Sequence, residues 1–551
     1  MTSSSEPSAS HSVDTASSTT PAPAGWSLPS VFAAIAHDRP DQPALVHGDT
    51  EVSWGELWTR ARVFAGALRG HGLAEQAKVA QYLFNDPAYI ESVIGACVAG
   101  CAVVNTNYRY GADELIYLWD NADVEAVVFH GTFTDTIASI RAEVPRVRVW
   151  IHVPDDSGPC PPWAIPYSDM TDETAHPPID SLARGDHLIL LYTGGTTGMP
   201  KGVMWRQSDL IGALDSSNRR RLGPPGDTDS ILERMATPGP RGCPAAPLMH
   251  GTGLFNALST LLLGGTVITL DGRSFDPVEL LDAVQRHSIN SIALVGDAFA
   301  RPILATLDAE PDRWDISSLR VIVSSGVMWA QATKDGLARH NQRLIMVDTL
   351  GSSEAIGMAS NVARAGDSTH TATFSLGPNT RVITEDGRDV VPGSGERGRV
   401  ALRGYTPVGY YKDPDKSAAT FVDIDGERYS IPGDWAEVAA DGALTLLGRG
   451  SQCINTGGEK VYPEEVEEVL KTHPNVTDAA VVGLPDERFG QTICAVVEAN
   501  SDIVTDTELI DLVRSRLARY KAPRRIVFVS SVGRAANGKL DYRALTDLVS
   551  Q

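Results

Sequence analysis

Cysteine is scarce in this chain. Six residues, Cys97, Cys101, Cys160, Cys243, Cys453 and Cys494, are scattered over 551 positions. That is too few for a disulfide framework, so a reducing compartment, the cytoplasm, is expected. Cys97 and Cys101 share a helix face in the apolar run IESVIGACVAG, with no His or Cys pair at zinc spacing nearby. Core packing is expected there, and no structural metal. Positive charge is also short: 47 Lys and Arg stand against 69 Asp and Glu, a net charge of −22. Nucleic acid and anionic membranes, which need a basic face, are poor candidates for the main partner. The one dense basic cluster, Arg219-Arg220-Arg221, reads as a solvated helix end, with contact to an anionic cofactor tail as the alternative, and carries no assigned role. No stretch reaches the ~18 continuous apolar residues of a membrane-spanning helix. Residues 1–25, rich in Ser, Thr, Ala and Pro, lack large apolar side chains, and they also lack the basic start and apolar centre of a signal peptide. They read as a disordered tail on a soluble protein.

The rest of the chain has a different character. Its length exceeds a single core of ~100–200 residues, so at least two domains are expected. Helical patterns such as SLPSVFAAIAHD and WGELWTRARVFAGALRGHG alternate with short apolar runs, KVAQYLF, CAVVNT, EAVVFH and VRVWIHV. A second series follows in GTVITL, SIALVG, RVIVSSG and LIMVDTLG. This alternation predicts layered α/β structure with largely parallel sheets. From about 395, turn-rich strands suggest a small β subdomain that closes the large N-terminal unit. The last hundred or so residues read as a compact α+β unit, with helices in PEEVEEVLKTHP and DTELIDLVRSRLAR and strands in AAVVGLP, ICAVVEA and RIVFVSS. The expected division is a tail over 1–25, a large domain over 26–447, a hinge over 448–452 and a small mobile domain over 453–551.

One stretch asks for chemistry. Residues 191–202, LYTGGTTGMPKG, combine hydroxyls and glycines with one lysine. A phosphate cradle of the type GxxxxGK[ST] opens a helix, but here Pro200 precedes Lys201 and both flanks are β-like, so a hairpin between two strands is expected. Gly194, Gly195 and Gly198 expose backbone N–H groups. Thr193, Thr196 and Thr197 add hydroxyls and Lys201 adds a charge, a donor set that suits a triphosphate. An ordinary Gly/Thr hairpin is the alternative.

The wording YTGGTTGMPKGV closely resembles the phosphate-loop motif of the adenylate-forming superfamily of acyl-CoA synthetases, peptide-synthetase adenylation domains and beetle luciferases. Further landmarks follow in the family's order over about 26–551. The resemblance implies an ATP-dependent enzyme that joins a carboxylic acid to AMP with release of pyrophosphate and then to coenzyme A. It implies that Thr193 to Gly198 and Lys201 hold phosphates, with Thr197 among the catalytic residues. PLMHGTG places His250 near the acyl site, and DTLGSSE places Leu350, Gly351 and Ser353 along the nucleotide. Glu354 becomes the Mg²⁺ ligand, an oxygen donor suited to a hard cation. Leu350 stands where the family usually has an aromatic ring beside adenine. YSIPGD offers Asp434 to the ribose hydroxyls and LGR offers Arg449 to the ribose or phosphate edge. GGEKVYPEEVE places Gly457 and Gly458 along the pantetheine tunnel, and NGKLDY makes Lys539 the adenylation lysine. Two further departures stand out: Gln452 occupies the hinge position where relatives carry Asp or Lys, and Gly533 stands near the proline that often opens the terminal motif.

For the acid, amino-acid-activating relatives place an aspartate shortly after the histidine element, whereas Gly253 to Leu258 hold no carboxylate. An acid without an α-amino group is expected. Gly296, Ser325 and Gly326 are expected to line the acyl site, and Gly296, Ala298 and Ala300 either leave room for a bulky tail or simply pack strand on helix. The wording looks most like bacterial fatty-acyl and steroid side-chain acyl-CoA synthetases. Two other readings stay open, an adenylate former that serves a carrier-protein thiol and a nucleotide-binding regulator without catalysis. Relatives are often dimers, but no motif specifies the oligomeric state.

Overall fold

A computed structural model describes residues 25–550 except 196–197, 217–220, 236, 327–328, 368–372, 450–453, 457–458, 487–489, 502, 518, 536–537 and 539. Of residues 194, 195, 198, 449, 455, 459, 460 and 490 it describes the backbone alone. The expected tail (apart from Gly25), Thr196, Thr197, Gln452, Gly457, Gly458 and Lys539 therefore lie outside the described residues, as do Arg219 and Arg220.

The first α/β series forms an eight-stranded sheet. Its order is Gly409–Tyr410, Gly198–Arg206, Leu188–Gly195, Ala102–Asn105, Lys78–Tyr82, Val124–His130, Val149–Val153, Ile165–Pro166. From Leu188–Gly195 onward neighbouring strands are parallel. The strands Ala102–Asn105 and Val149–Val153 are buried along their whole length, as a sheet covered on both faces requires. Helix Trp54–Gly70 starts at a capping box of Ser53 and Glu56. Helix Pro87–Val98 starts at Asp86, whose carboxylate accepts from the Ala88 N–H. Residues Ala88 to Val98 are all buried, and the free Cys97 and Cys101 are packed in this core. Desolvation there pushes both thiols up to about 12, which makes them packing groups rather than nucleophiles.

The second series forms the parallel half of a fifteen-stranded sheet. Pro43–His47, Thr266–Thr269, Arg241–Pro244, Ser291–Leu294, Val321–Ser325 and Ile345–Ser352 lie side by side and parallel. At Ile345–Ser352 the direction reverses. Ala355–Ala363 returns antiparallel, Thr373–Leu376 pairs with it, and Ala443–Arg449 and Asp434–Val438 follow. The turn-rich β region is thus hydrogen-bonded to the second α/β sheet, because the returning strand leaves an edge that the next one covers.

The C-terminal unit is a five-stranded sheet centred on Val476–Asp486 and Gly490–Ala499. Side chains alternate between two cores: Ala479, Val481, Ala495 and Val497 face one, and Ala480, Val482, Cys494 and Val496 face the other. Helices Pro463–Lys471 and Asp506–Arg516 cover the first face and Tyr542–Ser550 the second. The fold is a mixed α/β chain with a large N-terminal domain and a small C-terminal one. Among the described residues, no helix is long and apolar enough to cross a membrane. Arg221 lies beyond the end of helix Gln207–Asp215, exposed, and donates to the Ser216 carbonyl.

Candidate active site

Open α/β sheets bind ligands outside the carboxyl ends of their strands. Here such ends from both large sheets converge. Leu188–Gly195 and Gly198–Arg206 form the expected strand-to-strand hairpin, with Thr193 opposite Lys201 and Gly195 opposite Gly198. Pro200 lies near the tip of its strand, before the residues that pair with Gly409–Tyr410, so its missing N–H costs no ladder bond there. The Lys201 ammonium stands 3.3 Å from Asp413 Oδ2 and 5.8 Å from the centre of the Tyr410 ring.

Tyr410 joins this hairpin to the 352–354 turn. Its hydroxyl donates to Glu354 Oε1 at 2.8 Å within a buried contact. Two further bonds fix the turn: Ser430 Oγ donates to the Glu354 carbonyl and Trp205 Nε1 to the Ser353 carbonyl, both at 2.8 Å. Lys201 and Glu354, 153 positions apart in sequence, are therefore brought to one tyrosine, the ammonium near its ring and the carboxylate at its hydroxyl. Leu350, 8% exposed, packs with Ala355, Met358, Phe374 and Val400 in the core of the antiparallel half-sheet. Gly351 and Ser353 are only partly buried. Asp434, buried at the start of its strand, is the register partner of Arg449 on the neighbouring strand, which brings the two expected nucleotide contacts together in backbone terms.

His250 occupies the N-cap position of helix Gly251–Leu262 and is half-buried. What places it was not legible from the motifs. Asn105, at the carboxyl end of a parallel strand and 3% exposed, donates through Nδ2 to the Tyr192 carbonyl at 2.9 Å and the Met249 carbonyl at 2.6 Å. Its Oδ1 accepts from the Tyr192 N–H at 2.6 Å. One amide thus ties the root of the hairpin to the residue before His250. Asn85, just past the next parallel strand, donates to the Pro244 and Ala246 carbonyls and accepts from the Leu248 N–H. The available signal was an asparagine at or just beyond the end of an apolar run, in CAVVNT and YLFND.

The second sheet supplies the other wall. Gly296 N–H donates to Ser324 Oγ at 2.9 Å, Thr349 Oγ1 donates to the Ser324 carbonyl at 2.8 Å, and Ser325 Oγ donates to the Thr349 carbonyl at 3.1 Å. Gly296, Ser325, Gly326 and the 349–354 stretch are thereby gathered at neighbouring strand ends. Behind them Asp348 lies 3.7 Å from the equally buried Lys334. Burial pushes the Asp348 carboxyl up to about 6, against the downward pull of the Lys334 ammonium.

The profile of the AMP-binding enzyme family matches residues 32–411, and that of the AMP-binding enzyme C-terminal domain matches 465–539. This chain belongs to the AMP-binding enzymes. It is 38% identical over 522 residues to a medium/long-chain-fatty-acid–CoA/3-oxocholest-4-en-26-oate–CoA ligase of Mycolicibacterium smegmatis, covering 93% of this chain and 94% of that protein. A 3-oxocholest-4-en-26-oate–CoA ligase of Rhodococcus rhodochrous is also 38% identical, with 92% of this chain and 93% of that protein covered. An anthranilate CoA ligase solved with anthranoyl-AMP superposes with a TM-score of 0.82 at 22% identity, covering 96% of this chain and 99% of the other, which shows a shared fold. In this AMP-binding enzyme the described landmarks Thr193, Lys201, His250, Gly296, Ser325, Gly326, Leu350, Gly351, Ser353 and Glu354 lie on the hairpin, at the ends of parallel strands or in the turns that follow them, and Asp434 and Arg449 face each other on neighbouring antiparallel strands.

Proposed function

We propose that this enzyme is an AMP-forming acyl-CoA ligase acting on hydrophobic carboxylic acids of the fatty-acid or steroid side-chain kind. The observation that carries the reading is the meeting of Lys201 and Glu354 at Tyr410, one near its ring and the other at its hydroxyl, beside a Gly/Thr hairpin. The names of the relatives supply the acid class, and the half-buried Phe255 and Asn256 in the helix after His250 supply no carboxylate for an ammonium.

A carboxylate acylates poorly because oxide would have to leave. In the proposed first step a carboxylate oxygen attacks the α-phosphorus of ATP, the bond to the β-phosphate bridging oxygen breaks, and pyrophosphate leaves. Two anions must approach each other, so positioning and charge neutralisation dominate the catalysis. Thr193 to Gly198 and Lys201 hold the departing phosphates, Thr197 among the reacting-centre donors, and Asp434 and Arg449 hold the ribose edge. Lys539 bridges the carboxylate and the α-phosphate. Glu354 fits a hard cation: Oε1 is oriented by Tyr410, and Oε2 has no hydrogen bond among the described residues. Mg²⁺ bound there would neutralise phosphate charge.

In the second step the coenzyme A thiolate attacks the acyl carbon and AMP leaves. His250 borders the acyl site with Gly296, Ser325 and Gly326, and Gly457 and Gly458 border the pantetheine path. Hinge rotation at 448–452 between domains 26–447 and 453–551 exchanges the two settings. The test is pyrophosphate release with ATP and Mg²⁺ across short, medium, long-chain and sterol-derived acids, followed by coenzyme A consumption on the hits. Acid-dependent release with thioester formation is expected. Release without coenzyme A consumption would point to a carrier-protein thiol, and no release with any acid would point to a non-catalytic nucleotide binder.

A further inference from the structure

The terminal loop that carries Lys539 begins at Gly533, where φ is +71°. Proline holds φ near −65°, so it cannot adopt this backbone, and what orders the loop is to be sought in its other contacts. The next residue supplies a candidate. Arg534 is largely buried and forks onto Asp478, Nε to Oδ2 and Nη2 to Oδ1. The same guanidinium donates through Nη2 to the Ala479 carbonyl at 3.2 Å and through Nη1 to the Gly538 carbonyl at 3.0 Å. Gly538 immediately precedes Lys539. At the far end of the loop, the Tyr542 hydroxyl donates at 3.2 Å to Glu467 Oε1, which also accepts from the Val481 N–H at 2.9 Å. The loop is thus tied to the same strand, Val476–Asp486, at both ends.

That strand also touches the large domain. One residue before Asp478, the Thr477 carbonyl accepts from Arg301 Nη1 at 2.7 Å. Arg301 lies on helix Gly296–Ala309, whose first residue is at the expected acyl wall, and Asp297 Oδ2 holds its Nε at 3.1 Å one turn earlier. Asp297 in turn accepts from the Ala330 N–H at 3.3 Å. A planar guanidinium with several donors in fixed directions sets a carbonyl position more narrowly than an ammonium can.

We propose that Arg534 and Arg301 form a two-arginine strap that positions the Lys539 loop against the acyl-site helix during adenylation. The strap runs from Asp297 and Arg301 through Thr477 and Asp478 to Arg534 and the Gly538 carbonyl. Both arginines are positioning residues. The inference rests on the reading of Lys539 as the adenylation lysine.

The test separates the half-reactions: acid-dependent pyrophosphate release for adenylation, and coenzyme A transfer from preformed acyl adenylate for the second step. Arg534→Gln should lower the adenylation kcat about 100-fold, the scale of a misplacement near 1 Å, with KM for ATP and acid little changed and thioester transfer largely retained. Arg534→Lys should recover only part of the loss, because it keeps the charge but not the fork. Arg301→Gln, which removes the exposed bond to the Thr477 carbonyl and the ion pair with Asp297 one turn earlier, should slow adenylation about tenfold by the same reasoning, and the double variant should lose less than the product of the single losses. Equal loss of both half-reactions in Arg301→Gln, or full adenylation in both single variants, overturns the strap. Lys539→Ala run in parallel keeps the two ideas apart. If it retains adenylation, the reading of Lys539 fails; if it loses adenylation while Arg534→Gln and Arg301→Gln do not, the strap alone fails.

Discussion

Replacing Asn105 by alanine removes three buried hydrogen bonds at once, two donated to the carbonyls of Tyr192 and Met249 and one accepted from the Tyr192 N–H. Each such bond is worth about 1 kcal/mol net, and orphaning a buried partner adds to the cost, so a total loss of about 3 to 5 kcal/mol is expected. That is a large part of the ~5–15 kcal/mol available to a domain, and it falls at the junction of the hairpin root and the His250 turn. Urea unfolding of the large domain should register it. Activity should fall further than stability, because displacement of reacting groups by about 1 Å costs about 100-fold in rate. Asn105→Asp is the sharper probe. Aspartate keeps the acceptor for the Tyr192 N–H but turns a carboxylate oxygen toward two carbonyl oxygens, so it should be at least as damaging as alanine. An Asn105→Asp enzyme that unfolds at the parent's urea midpoint and releases pyrophosphate at the parent's rate would refute the assignment of this amide as the clamp.

Tyr410→Phe removes one hydrogen bond to the Glu354 carboxylate. A charged bond of about 2 kcal/mol predicts a roughly 30-fold drop in pyrophosphate release and a higher Mg²⁺ requirement, and a change under twofold at saturating and limiting Mg²⁺ would exclude that role. Asp348 has its carboxyl raised from 3.8 to about 6. Between these values the folded chain keeps a proton that the unfolded chain releases, so its stability contribution falls as pH rises through the window. The loss amounts to about 3 kcal/mol. Urea curves for Asp348→Asn and the parent should therefore diverge by about that amount from pH 4 to 7, in the variant's favour as pH rises, and parallel curves would count against the raised carboxyl. Gly448 has φ +116°, and a Cβ there would lie 2.1 Å from Glu464 Oε2. Gly448→Ala should cost about 1–3 kcal/mol in thermal unfolding, and adding Glu464→Ala should restore only the steric part because the backbone strain remains.

The element pattern was readable because it depends on local periodicity. KVAQYLF, CAVVNT and EAVVFH became parallel strands, WGELWTRARVFAGALRG a capped helix, and LYTGG and GMPKG paired strands rather than a helix start. The family motifs were readable for a related reason, since residue type and spacing along the chain are fixed before any folding is known. The supporting shell was not. Asn105 and Asn85 look like turn residues after apolar runs, and their partners at Met249 and Leu248 lie 144 and 163 positions away. Tyr410 gives no sign in sequence that it meets both Lys201 and Glu354. Arg534 reads as an ordinary charge until Asp478 and the Gly538 carbonyl surround it.

Continuity of the turn-rich strands with the second α/β sheet was equally hidden, because strand pairing such as Thr373–Leu376 with Ala443–Arg449 joins segments by backbone groups that every residue carries. Composition and spacing thus specify which chemistry this chain can perform and which segments become helix or strand. The placement of that chemistry depends on contacts between residues a hundred or more positions apart, and those exist only once the two large sheets have packed with these strand ends joined.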